Sequence, residues 1–154
     1  MRINFIIIPA LAILTSVLGS QITSQGMSWY KIINLPKMTP PGSIIGLVWT
    51  IIFILTTVSI LIYYNQNKSH KYFWLVIGLF VVNAFLNVAW SYLFFGWHWL
   101  FLSIFEAALL GLSVFVLIIL IWPVSKLSAI LLIPYAAWVS FATYLTFNIW
   151  HLNK

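Results

Sequence analysis

The charged residues of this chain occur singly, and the stretches between them are apolar and long. About 20 consecutive apolar residues carry a helix across the hydrocarbon core of a bilayer. Read from charge to charge, the chain offers such runs over 3–24, 44–64, 72–95, 100–121 and 127–150. The uncharged stretch from Lys71 to Glu106 exceeds one span. It divides most naturally at Phe95-Gly96-Trp97-His98-Trp99, where Gly96 can turn the chain and Trp and His favour the membrane interface. The expected fold class is all-α, an integral membrane bundle of five transmembrane helices forming one domain over 1–154. The alternative, in which the first run is a cleaved signal peptide ending near Leu18-Gly19-Ser20, would leave four spans.

Composition narrows the chemistry. With 64% of residues apolar and 5% charged, no polar skin for a soluble domain can be assembled. There is no cysteine, which removes disulfides, thiolate metal sites and thiol nucleophiles. Glu106 is the only acidic side chain, so paired-carboxylate catalysis, a Ser-His-Asp triad and carboxylate cation sites are excluded. The net charge of +6 comes from scattered Lys and Arg that form no basic face, which argues against a nucleic-acid partner. Neither a metal nor a cofactor is called for. His70 and His151 fall at a loop and a terminus, and His98 at an interface.

Five spans place the ends of the chain on opposite sides. Arg2, Lys68, Lys71 and Lys126 fall on one side, here side A, and Lys31, Lys37 and Lys154 on side B. Four basic residues against three give the positive-inside rule little to act on, so orientation stays open. The connection over 25–43 stands out, because loops beyond about 12–15 residues are uncommon and usually functional. It carries Trp29, Tyr30, Pro36, Pro40 and Pro41. Ser28 could cap a short helix through Ile33, and the proline pair stiffens the approach to the second span. The expectation is a lid on side B, although an interfacial connector with anchoring aromatics would read the same way.

Amides, acids and indoles inside a membrane are costly unless used, so they mark candidate sites. At 100° per residue, Asn83, Asn87, Trp90 and Phe94 share one stripe of the third span. Pro134, Trp138, Phe141, Ala142 and Leu145 share one stripe of the fifth. Counting 1.5 Å per residue from side B, Trp49, Trp90 and Glu106 lie roughly 8–9 Å deep, and Asn87 about 12 Å. Asn83 and Trp138 lie on the order of 18 Å deep. All belong to the half of the bilayer under the long loop, which points to a cavity closed by the lid. The competing readings are interhelical hydrogen bonding for the amides and core or interfacial packing for the indoles. Two further stripes of small residues, Ala12/Ser16/Ser20/Ser24 and Ser103/Ala107/Gly111, allow close helix contact within the bundle or between two protomers.

These residues resemble the TspO/MBR family, the tryptophan-rich sensory and translocator (peripheral benzodiazepine receptor) proteins, along essentially the whole chain. Pro40-Pro41 is followed eight positions later by Trp49. The Asn-x-x-Trp-Ser-x-x-Phe-Phe signature appears as Asn87, Trp90, Ser91, Phe94 and Phe95. The intramembrane acid matches Glu106, and Pro134-Tyr135-x-x-Trp138-x-x-Phe141-Ala142 precedes a closing Trp150. Met38, Leu47, Asn83 and Thr146 depart from the family pattern. The cholesterol motif is missing too, since Phe147 and Ile149 follow Tyr144 and Lys154 is distant.

The resemblance implies a pocket beneath the first loop that takes tetrapyrroles such as protoporphyrin IX, and benzodiazepine-site ligands, in a protein often homodimeric. It further implies a role in transport or sensing, with light-dependent porphyrin degradation also proposed in the family. The expected ligand-binding set is Tyr30, Pro41, Trp49, Asn83, Asn87, Trp90, Glu106, Trp138 and Ala142. Any photochemistry would fall to Trp49 and Trp138. A bacterial plasma membrane is favoured over a mitochondrial outer membrane. The rival reading is a small proton-coupled exporter of aromatic cations using Glu106.

Overall fold

The computed structural model describes residues 3–154. Arg2, counted above on side A, lies outside the described residues. Helix α1 spans Asn4–Tyr30, α2 Gly42–Gln66, α3 Phe73–Ser91 and α4 Leu100–Ile121. A short α5, Lys126–Ile130, leads into α6, Ile133–Leu152, and the two together form the fifth span. Among the described residues, five helical stretches are therefore long and apolar enough to cross a membrane. Around the bundle, α1 packs on α2, α2 on α5, α5 and α6 on α4, α4 on α3, and α3 back on α1. Such a ring leaves its middle to be filled by side chains or by nothing.

The half of the bundle towards side A is filled. Tyr63, Val76, Val114, Leu117, Ile121 and Leu132 are fully buried there. Ser59 on α2 and Ser128 on α5 tie the two helices reciprocally, each hydroxyl donating to the other's carbonyl at 2.8 Å. The amide–phenol cluster sits further towards side B. The Tyr135 hydroxyl donates to Asn83 Oδ1 at 3.0 Å, Asn83 Nδ2 donates to Ser113 Oγ at 2.8 Å, and Asn87 Nδ2 donates to the Tyr135 oxygen at 3.3 Å. Tyr135 thus joins α6 to α3, and Asn83 joins α3 to α4.

Three boundaries differ from the sequence reading. First, α1 does not stop at residue 24 but runs to Tyr30, so no separate helix begins at Ser28 and the loop shrinks to 31–41. The cause is tertiary. Trp29 and Tyr30 pack their rings on Phe94 at 5.7 and 6.1 Å, holding the last turns helical. Second, the fifth span is not one helix over 127–150. Pro134 lacks the N–H that a continuing helix would need, and the chain breaks at residues 131–132 before α6 starts.

Third, α3 ends in a π-helical turn, Tyr92–Gly96, in which Trp97 N–H reaches Tyr92 O at 2.8 Å. The reversal into α4 is made by His98, at φ 58°, and not by Gly96. A left-handed non-glycine residue costs on the order of 1 kcal/mol. The His98 ring stacks on Trp29 with centroids 4.0 Å apart and planes 20° apart, a contact that offsets this strain.

Candidate functional site

Towards side B the ring stays open inside. A cavity of about 860 Å³ lies between all five spans under the loop, within the size range of small-molecule sites. Its wall is drawn from α1 from Thr15 onwards, the first half of α2, the end of α3 with its π turn, one face of α4, and α6 from Trp138 to Ile149. Lys31 and Leu35 from the loop close it towards the aqueous side.

Six of the nine candidate residues line this space: Tyr30, Trp49, Asn87, Trp90, Trp138 and Ala142. Their placement follows from packing. Trp49 sets its edge against Tyr135 at 5.9 Å, Trp90 stacks on Phe94 at 5.0 Å, and Trp138 leans on Phe141 at 5.5 Å. The indole N–H groups of Trp90 and Trp138 are buried with no hydrogen-bond partner among the described residues. Buried donors are nearly always paired, so these two are available to an acceptor brought by a ligand.

Three candidates lie off the wall. Pro41 caps α2 one residue before Gly42, which does line the cavity. Asn83 is spent on Ser113 and Tyr135, so its amide holds helices together, the packing role weighed above. Glu106 is buried between helices while its neighbour Ala107 forms part of the wall. Neither Glu106 oxygen has a hydrogen-bond partner among the described residues.

Sequence reasoning missed the α1 side of the site. Thr15, Ser16, Gly19, Ser20 and Thr23 all line the cavity. Ser16 and Ser20 belong to a stripe that reads equally as a helix contact, because small residues serve close packing and open space alike. The other stripe is mostly spent on packing: a Cβ on Gly111 would touch Val139 on α6 at 3.4 Å and Ser103 is fully buried, while Ala107 alone of the three reaches the cavity wall. Among the described residues of the wall, Lys31 is the only charged one.

The TspO/MBR family model matches residues 5–151. The tryptophan-rich protein TspO of Bacillus cereus is 39% identical over 127 residues, covering 82% of this chain and 81% of that protein. Protein CrtK of Rhodobacter capsulatus is 31% identical, over 82% of this chain and 79% of its own length. The translocator protein of Bos taurus is 29% identical over 99% of this chain and 89% of its own. Five apolar helices and relatives in bacteria and archaea make this a multi-pass protein of a bacterial-type plasma membrane. With its motifs in order on five spans and the family model covering nearly its whole length, the chain belongs to the TspO/MBR family.

Proposed function

We propose that the protein binds a flat aromatic tetrapyrrole, with protoporphyrin IX as the reference ligand, in the cavity under the loop and uses this binding for transport or sensing. The same space suits the smaller benzodiazepine-site ligands. The observation that carries the reading is the cavity of about 860 Å³ with Trp49, Trp90 and Trp138 in its wall. A large π-system gains dispersion and stacking against indoles, at about 0.5–1.5 kcal/mol per aromatic pair beyond area burial. Lys31 at the rim supplies a cation for carboxylates that stay near the aqueous side. The name of the mammalian relatives, translocator protein, agrees with transport.

The test is a titration with protoporphyrin IX in darkness, followed by tryptophan quenching. Saturable quenching at one ligand per chain is expected. Lys31→Gln should weaken the free diacid roughly fivefold, as expected for a partly solvated ion pair worth about 1 kcal/mol. The dimethyl ester should bind both forms equally. Absence of saturable quenching would remove the proposal.

The exporter reading gains nothing from Glu106, which lies outside the wall. Glu106→Gln is accordingly expected to leave porphyrin affinity within about twofold, a difference below 0.5 kcal/mol. Loss of a pH-driven flux of aromatic cations in that variant would favour the exporter instead.

Under illumination in the presence of dioxygen, Trp49 and Trp138 are the indoles from which an excited macrocycle would draw an electron. Trp49→Phe and Trp138→Phe should each slow light-driven porphyrin loss at least threefold while dark binding persists. Unchanged loss would assign the photochemistry to the porphyrin alone.

A further inference from the structure

The loop over 31–41 is hydrogen-bonded to a distant part of the molecule at one residue. Among the described residues, its only hydrogen bonds to an element other than its flanking helices are made by Asn34. The Asn34 backbone N–H donates to Asn153 Oδ1 at 2.9 Å, and Asn153 Nδ2 donates back to the Asn34 carbonyl at 2.9 Å. Asn34 Nδ2 adds a long contact to Leu152 O at 3.5 Å. One carboxamide at the end of α6 therefore satisfies both backbone groups of a single loop residue.

The anchor is itself held, because Asn153 Nδ2 also donates to Ile149 O at 2.7 Å. On either side of Asn34 the loop has its own constraints. Ile33 packs against the apolar cluster of Phe94, Phe95, Leu145 and Ile149, and Thr39 closes a turn onto Pro36 O. Leu35, directly after the anchored residue, lines the cavity, as does Lys31.

We propose that Asn153 is a positioning residue for the cavity: it latches the loop through Asn34, so that Leu35 and Lys31 close the aqueous mouth. Release of this latch then limits how fast molecules pass between water and the cavity. Opening of lids of this kind commonly limits exchange. The bonds are solvent-exposed, so their loss favours the open loop by about tenfold and leaves the bundle intact. The relevance of the latch to function rests on the cavity being the ligand site, whereas the latch itself does not.

The chain has no cysteine, so a single reporter can be placed inside the cavity by Ala142→Cys. Full-length protein in lipid nanodiscs is treated with a charged, membrane-impermeant methanethiosulfonate that can reach Cys only from water. Asn153→Ala should raise the labelling rate about tenfold with little change in Tm. Asn153→Asp keeps the acceptor for Asn34 N–H but loses the donor, and should fall between. Equal rates in all three forms would overturn the proposal.

A parallel stopped-flow measurement uses protoporphyrin IX in darkness. Association and dissociation should both accelerate in Asn153→Ala, with Kd moving less than about threefold. Unchanged exchange rates alongside faster labelling would mean the ligand passes between helices, which also overturns the functional part. Latch-dependent labelling with no porphyrin binding in any form would leave the latch standing and remove the tetrapyrrole reading.

Discussion

Replacing Gly26 by alanine is expected to lower Tm by roughly 6–12 °C in detergent, equivalent to about 3 kcal/mol at 2–4 °C per kcal/mol for a chain of this size. The reason is contact between backbones. A Cβ on Gly26 would stand 2.7 Å from Phe95 Cβ and 3.0 Å from its carbonyl carbon, with the carbonyl oxygen closer still. No side-chain rotation relieves this, so α1 must move away from the π turn. Met27 and Tyr30 on α1 beyond Gly26, and Lys31 directly after the helix, are all in the cavity wall, so binding should weaken together with stability. Gly78 is the internal control. Nothing lies within 4 Å of a Cβ there, and Gly78→Ala should be neutral or slightly stabilising through helix propensity. Equal Tm values for the two variants would show that α1 and the π turn are not in close contact.

Filling the cavity should separate binding from folding. Gly46 on α2 is part of the wall, and a Cβ added there meets nothing within 4 Å. Gly46→Trp therefore places an indole in open space and removes room from the ligand. The expected result is at least a 100-fold loss of protoporphyrin affinity, the loss of about 3 kcal/mol of contact, with Tm unchanged or higher. Retained affinity would place the ligand elsewhere on the protein. A fall in Tm as large as that of Gly26→Ala would mean the space at Gly46 is already occupied by packing.

Much of the architecture was legible because charge is so scarce. The fourth span reads as 100–121 in the sequence and is Leu100–Ile121, since Glu106 alone interrupts it and the aromatic break before it is sharp. The 3.6-residue stripes of α3 and α6 identified Asn87, Trp90, Trp138 and Ala142, which converge on one wall. Other features depend on contacts between distant segments. The extra turns of α1 exist because Trp29 and Tyr30 meet Phe94, and a helix end set by such packing leaves no local signal. The break in the fifth span did have a signal in Pro134, outweighed by the continuous apolar run around it. His98 in the left-handed region runs against expectation, because Gly96 two residues earlier is the better candidate by propensity. Small residues on α1 were ambiguous for a physical reason: the absence of a side chain serves a neighbouring helix and a void equally well. Asn83 shows the limit of depth arguments, since an amide facing inward at the right level was already consumed by Tyr135 and Ser113.

The most direct measurement is a structure of the protein in complex with protoporphyrin IX, prepared in darkness. The macrocycle should lie inside the ring of helices, flanked by Trp49 and Trp138, with its carboxylates directed to the Lys31 rim. A macrocycle resting on the lipid-facing surface, with the interior under the loop still vacant, would contradict the account.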